Sequence, residues 1–202
     1  MLRTIRRWFF WGEKMDKPTI GFIGVGAMGE PMVARLLNAG FRVVSYVNQS
    51  REAIERLLPQ GLVEVANARE LGEQADVVMC CVFDEAQNDQ ALRGEQGALA
   101  AMKPGSIVLL MSTISPGYCQ KLAKEAAAGE IVILDCPLSG MVQGAIDGTL
   151  SLMIGGAESD ISRCEEVLAP VGNVMRCGDV GSGQMMKLAN NAISLSTFSL
   201  IS

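Results

Sequence analysis

Three glycines near the start of the chain have the spacing that phosphate binding requires. Residues 24–29 read G-x-G-x-x-G, after the apolar run 19–23 and before a helical pattern that Gly40 ends. In that context the first glycine permits a tight turn, the second lets backbone approach a pyrophosphate, and the third lets helix and strand pack closely. The helix N-terminus favours an anion. We therefore predict a dinucleotide site formed by Gly24, Val25, Gly26, Ala27, Met28 and Gly29.

The end of the second apolar run bears on which dinucleotide is bound. In this type of site an acidic residue binds the ribose 2′-hydroxyl of NAD, whereas an arginine accommodates the 2′-phosphate of NADP. The corner here carries no carboxylate and has four polar residues, Asn48, Gln49, Ser50 and Arg51. We assign those four to the cofactor and expect NADP to be preferred. Glu52 keeps NAD open, and a merely solvated polar loop is the competing interpretation.

The residues available for acid–base and metal chemistry are restricted. The chain has six cysteines and no histidine, so the commonest general acid/base is absent and another group must transfer protons. Because no C-x-x-C pair is present, we expect no metal site. The adjacent Cys80 and Cys81 lie in an apolar run, which is typical of small core residues in a reducing compartment. We therefore expect a cytoplasmic location.

The elements that must position these residues follow from apolar periodicity. Residues 41–47, 76–82, 106–111 and 131–135 are nearly continuous apolar runs, which are typical of strands covered on both faces. Helices are predicted between and after them, including residues 91–101, Ala68–Gln74 and Glu158–Leu168. This alternation predicts an α/β fold with a doubly wound, mostly parallel Rossmann sheet over residues 16–180.

The two ends of the chain depart from that alternation. Residues 1–15 hold three arginines and both tryptophans, with an apolar stretch too short for a signal-peptide core. We expect a disordered N-terminal extension, with Met15 as an alternative start. Residues 184–202 form one helical pattern with an apolar stripe that nothing in the chain is predicted to cover.

Composition excludes several classes of partner. The net charge of −5 argues against nucleic acid or an anionic membrane surface. No apolar run reaches the length of a membrane span. A small molecule is the remaining class of partner that the sequence indicates.

Four motifs in order resemble the β-hydroxyacid dehydrogenase family, which includes 3-hydroxyisobutyrate dehydrogenases and tartronate semialdehyde reductases. They are GFIGVGAMGEPM at residues 21–32, MSTISP at 111–116, DCPLSGMVQGAIDGTLSLMIGG at 135–156 and GSGQMMKLANN at 181–191. The resemblance covers residues 16–202. It implies hydride transfer between NAD(P) and a small β-hydroxy acid or its semialdehyde.

The resemblance also implies roles for cofactor contacts outside the glycine turn. Thr113 corresponds to the residue that contacts the nicotinamide ribose. Val82 and Phe83 lie in the loop that covers the cofactor, where the family usually has proline at the position of Phe83.

The same resemblance assigns the substrate side of the site. Ser139 and Gly140 correspond to a clamp on the substrate carboxylate, Lys187 to the catalytic lysine and Asn191 to its substrate-binding partner. Met141 stands where a second glycine is common, so it either narrows the pocket or is a neutral change. A lysine ammonium can supply charge and a proton to a developing alkoxide, and Asn191 lies one helical turn from Lys187.

The largest departure from the family is length. Family members continue into an all-helical C-terminal domain, so the resemblance assigns residues 181–202 to the start of an interdomain helix and implies a homo-oligomer in the full-length form. Two alternatives remain open: a truncated cofactor-binding module with little or no activity, and an imine reductase, against which Lys187 counts.

Overall fold

The computed structural model describes residues 17–49 and 51–201. The expectations for residues 1–15 and for Ser50 therefore lie outside the described residues. In the described part of the chain, no helix is both long and apolar enough to cross a membrane.

Nine strands form a single sheet within the described residues. They are β1 (Ile20–Ile23), β2 (Val43–Ser45), β3 (Val63–Glu64), β4 (Val77–Cys80), β5 (Ile107–Leu110), β6 (Val132–Asp135), β7 (Leu138–Ser139), β8 (Leu150–Gly155) and β9 (Gly172–Gly178). The helices are α1 (Gly29–Asn38), α2 (Glu52–Leu57), α3 (Ala68–Gln74), α4 (Glu85–Leu92), α5 (Pro116–Ala126), α6 (Met141–Asp147), α7 (Glu158–Leu168) and α8 (Ser182–Ile201).

The strand order is β3-β2-β1-β4-β5-β6, and all five of these pairings are parallel. Beyond β6 the sheet continues with β8, which pairs antiparallel with β6 and β7 and parallel with β9. From β1 the chain runs outward to β2 and β3, and it then crosses back to place β4 on the other side of β1. This reversal creates a crevice at the carboxyl ends of the strands, where ligands of such sheets bind.

Helices cover both faces of the parallel sheet and enclose two cores. Alternate residues of β4 point into different cores: Val77 and Met79 into one, Val78 and Cys80 into the other. The first core also receives side chains from α1, α2 and α7, and the second from α3, α4 and α5. Burial on both faces explains the continuous apolar runs of these strands and confirms the predicted α/β class.

The predicted helix over residues 91–101 is wrong. Helix α4 begins earlier, because the Asp84 carboxylate accepts a hydrogen bond from the Gln87 N–H at 2.8 Å and caps it. It ends at Leu92, since Arg93 is extended and Gly94 has a φ of 78°. A single 3-10 turn at Ala98–Ala100 follows.

Candidate functional site

The glycine turn after β1 has the geometry that its spacing predicts. Gly24 has a φ of 94°, and a side chain there would overlap the Cys81 carbonyl oxygen. A side chain at Gly29 would overlap the Gly24 carbonyl oxygen, so α1 can begin this close to β1 only with glycine. A Cβ at Gly26 would meet no atom within 4 Å. The first and third glycines thus serve packing, and the second leaves open space above the turn.

This open space belongs to a cavity of about 590 Å³ at the carboxyl ends of β1, β2 and β4. The cavity lining includes the whole glycine turn, residues 24–29, and the predicted contacts Asn48, Gln49, Val82 and Phe83. The first turn of α1 has no side-chain cap, so its N–H groups suit a phosphate. The residues present therefore fit the pyrophosphate of a dinucleotide.

Sequence reasoning missed four lining residues: Tyr46, Ile54, Cys81 and Gln87. Burial raises the pKa of Tyr46 to about 12 and the pKa of Cys81 to about 11, so both keep their protons at neutral pH. Tyr46 could have been found from the sequence, because it lies two residues before Asn48 and directly after β2. Gln87 accepts the Phe83 N–H at 3.1 Å and thereby holds the loop that carries Phe83.

Arg51, the predicted phosphate ligand, is engaged in ion pairs. Its Nη1 and Nη2 lie 3.1 and 3.2 Å from the carboxylate oxygens of Glu64, and its Nε lies 3.2 Å from Glu55. All three side chains are partly or largely exposed. Arg51 does not line the cavity. Glu64 was not anticipated, because it reaches the corner from β3 rather than from the loop itself.

Helix α8 presents its polar side to the domain. It packs against α5, β6, β8 and β9. The half-buried residues recur at one-turn spacing, at Lys187, Asn190, Asn191 and Ser194. The large apolar side chains are exposed instead, at Met185, Met186, Leu188 and Ile193. Partial burial lowers the pKa of Lys187, as expected for an ammonium removed from water.

The predicted carboxylate clamp lies beside this polar side of α8. Ser139 ends β7, Gly140 follows with a φ of 136°, and Met141 begins α6 in the left-handed region with an exposed side chain. The Asn190 amide donates to the Ser139 hydroxyl at 3.4 Å. Asn190 was missed by sequence reasoning, although its i+3 spacing from Lys187 places it on the same face. Asn191 is half-buried on that face.

Thr113 is exposed, in the segment that follows β5. Thr113, Ser139, Lys187 and Asn191 do not line the 590 Å³ cavity. The structure thus groups most of the predicted site residues in two places, and Thr113 and Arg51 lie outside both. One place is the cofactor cavity, and the other is the polar side of α8 with Ser139.

Known proteins share this domain. Residues 19–181 match the family described as the NAD binding domain of 6-phosphogluconate dehydrogenase. Similar curated proteins include a probable mitochondrial 3-hydroxyisobutyrate dehydrogenase of Dictyostelium discoideum, 34% identical over 87% of this chain and 54% of its own. They also include an L-threonate dehydrogenase of Cupriavidus necator, 36% identical over 87% of this chain and 59% of its own. The chain therefore spans little more than half the length of these relatives.

Solved structures agree with that assignment. The 3-hydroxyisobutyrate dehydrogenase of Mycobacterium tuberculosis with L-serine superimposes with a TM-score of 0.80 and 32% identity, over 87% of this chain and 60% of that one. The chain therefore belongs to the family of the 6-phosphogluconate dehydrogenase NAD-binding domain, and it is an NAD(P)-binding domain of the β-hydroxyacid dehydrogenase, or 3-hydroxyisobutyrate dehydrogenase, type.

Proposed function

We propose that the chain takes part in the interconversion of a small β-hydroxy acid and its semialdehyde, with Lys187 as general acid/base. The observation that carries this proposal is the polar side of α8. There a half-buried lysine lies one turn from an asparagine whose amide contacts Ser139. Relatives named as dehydrogenases of 3-hydroxyisobutyrate and L-threonate support a hydroxy acid as substrate.

In this proposal each side chain has one task. The Ser139 hydroxyl and the N–H groups of the Gly140 turn hold the substrate carboxylate by hydrogen bonds, with Asn191 and Met141 beside them. Lys187 donates a proton to the alkoxide oxygen that forms in reduction, and removes it in oxidation. Partial burial lowers the pKa of Lys187, which brings proton transfer closer to neutral pH. When bound, the nicotinamide cofactor supplies or accepts the hydride.

We propose that NADP is preferred over NAD. Among the residues that the structure describes, Asn48 and Gln49 line the cavity at this corner, and none of the lining residues is a carboxylate that could bind a ribose 2′-hydroxyl. The ion pairs of Arg51 are exposed, and exposed pairs contribute about 0–1 kcal/mol each, so a 2′-phosphate can compete for the guanidinium. Binding of NADPH and NADH, followed by nucleotide fluorescence, tests this preference. Tighter binding of NADH would overturn it.

A cofactor-binding module with little turnover is the second candidate. It is favoured by the exposed apolar side chains of α8. They show that the helix that carries Lys187 is covered by the domain on one side and uncovered on the other. A module of this kind would bind NADPH and leave semialdehydes unchanged.

One assay separates the two candidates. NADPH-dependent reduction of glyoxylate, tartronate semialdehyde and succinic semialdehyde is measured with the chain, with Lys187→Ala and with Lys121→Ala as a control. Lys121 is a 70% exposed lysine on α5. We expect turnover that Lys187→Ala abolishes and Lys121→Ala leaves unchanged. NADPH binding without turnover in all three proteins would support the module.

We propose a small acid as the substrate, no nucleic-acid or membrane partner, and a homo-oligomer, the last of which the exposed side of α8 supports. The six cysteines are free thiols, which suits a reducing compartment such as the cytoplasm.

A further inference from the structure

A buried acid and a buried amide join the start of α8 to the sheet. Asp135 is the last residue of β6 and Gln184 the third residue of α8, and each is 0% exposed. Neither lines the cofactor cavity. Burying a polar side chain costs free energy unless it is hydrogen-bonded. The hydrogen-bond partners of Asp135 and Gln184 therefore indicate what these two residues do.

The Asp135 carboxylate caps α8 from a distance in sequence. Oδ1 accepts the Gly181 N–H at 2.6 Å, and Oδ2 accepts the Gln184 N–H at 2.8 Å. These donors are among the N–H groups that a helix leaves unpaired at its start. Packing fixes the same turn, because a Cβ at Gly183 would overlap the Met153 carbonyl oxygen and approach Asp135 Oδ2 to 2.8 Å. These contacts therefore hold the first turn of α8 in a single position on the sheet.

The Gln184 side chain holds the segment after β5 on both sides of Thr113. Its Nε2 donates to the Ser112 carbonyl at 2.8 Å, and its Oε1 accepts the Ile114 N–H at 3.1 Å. Gln184 thus uses its main chain to bind Asp135 and its side chain to bind this segment. The ends of β5 and β6 and the start of α8 form one hydrogen-bonded unit.

We infer that Asp135 and Gln184 are positioning residues, which set the place of Lys187 relative to Thr113. Lys187 follows Gln184 by three residues, about 4.5 Å along the helix axis, so any shift of the first turn displaces its amine. The inference rests on the proposed function, in which Lys187 must meet a substrate beside the nicotinamide, whose ribose the resemblance assigns to Thr113. Misplacement by about 1 Å can lower a rate about 100-fold.

The competing role is a cap that stabilises α8 without placing Lys187. Two variants separate these roles: Asp135→Asn, which removes the charge and one acceptor, and Gln184→Met, which keeps the length and removes both side-chain hydrogen bonds. The matched control is Gln120→Met. Gln120 is exposed, and its amide donates to the Val180 carbonyl at 3.2 Å, next to the same helix start.

The first readout needs no activity. The rate at which an amine reagent modifies Lys187 is measured against pH by peptide mass spectrometry, with the exposed Lys121 as internal reference. Partial burial lowers the pKa of Lys187 in the parent chain. We expect its modification midpoint to rise toward the ordinary value for a lysine in both variants and to stay unchanged in Gln120→Met.

The second readout is catalytic. In Gln184→Met we expect kcat to fall about 10- to 100-fold. The Kd for NADPH should change less than kcat, because the glycine turn that suits the pyrophosphate is untouched and only the proposed ribose contact of Thr113 is loosened. A chain without turnover would contradict the proposed function, whereas the modification midpoints would still test the positioning role.

Two results would overturn the inference. One is a lower melting temperature in both variants together with an unchanged modification midpoint of Lys187. That result would mean that Asp135 and Gln184 stabilise α8 and do not position Lys187. The other is rapid hydrogen exchange at the Gly181 and Gln184 amides of the parent chain, since both amides are bonded to a buried carboxylate. Where a variant does not fold, the exchange measurement on the parent chain still tests the hydrogen bonds on which the inference rests.

Discussion

Lys187, the proposed proton donor, illustrates how a residue suited to proton transfer can lower the stability of the fold. Partial burial lowers its pKa because the charged ammonium loses hydration. Below that lowered pKa the amine is protonated in the folded and unfolded states alike, and the folded state carries the full penalty. As pH rises from the lowered value toward the ordinary one, the folded state loses its proton first, so the penalty diminishes.

The change Lys187→Met should therefore stabilise the domain while it removes the proposed proton donor. Methionine has a similar length and no charge, and we expect the melting temperature at pH 7 to rise by about 1–3 °C. The difference from the parent chain should shrink as the pH is raised above the lowered pKa. Thermal unfolding at several pH values measures both effects. Lys121→Met, at an exposed site, should change little, and a lower melting temperature for Lys187→Met at pH 7 would contradict this account.

Among the elements, the β2–α2 corner shows how a neighbouring strand can modify a cofactor site. Arg51 precedes α2, but Glu64 on β3 holds its guanidinium with two parallel hydrogen bonds. The pair joins two elements of the sheet edge and places a negative charge beside the predicted phosphate ligand. Glu64 should therefore weaken NADPH binding more than NADH binding.

Replacing Glu64 by glutamine tests that consequence. The loss of the carboxylate releases Nη1 and Nη2 of Arg51, although the pair with Glu55 stays, and it removes repulsion toward a 2′-phosphate. We therefore expect NADPH to bind about 2- to 5-fold more tightly, in line with the small free energies of exposed pairs. NADH binding should not change. The control is Glu73→Gln, which breaks the exposed Arg69–Glu73 pair on α3. Equal tightening of both nucleotides would show that Glu64 does not discriminate between them.

The sequence predicts the elements better than it predicts the contacts between them. Helices α3 and α7 have the predicted bounds, because in each the apolar spacing and the flanking residues indicate the same start and end. Strand β2 is shorter than its apolar run, since Phe41 and Val47 at the ends of the run pack into the core without belonging to the strand. The short β7 and α6 carry no clear periodicity. Glu64, Gln184 and Asn190 make contacts with residues 13, 70 and 51 positions away, and no local pattern encodes such pairs.

On the scale of the whole domain, the residues with proposed roles in binding and proton transfer lie along one edge of the sheet or on the helix next to it. The ends of β1, β2 and β4 line the cofactor cavity, the segment after β5 carries Thr113, and the end of β6 caps the helix that carries Lys187. Helix α8 faces this edge with polar side chains, so its apolar side chains face outward. Exposed groups of this kind on a domain mark a surface for association.

We expect this outward side of α8 to bind a second copy of the chain. Met185 and Ile193 are 64% and 69% exposed, and Leu188 lies between them, so pairing two such faces would remove apolar surface from water on both copies. Light scattering across a range of concentrations should show a mass above 21.5 kDa that rises with concentration. The combined change of these three residues to glutamine should restore a monomer, because it leaves the buried polar side of α8 unaltered. Phe83→Gln, which removes an exposed apolar side chain at the cofactor cavity, should leave association intact. A monomeric parent chain at all concentrations would exclude pairing through α8.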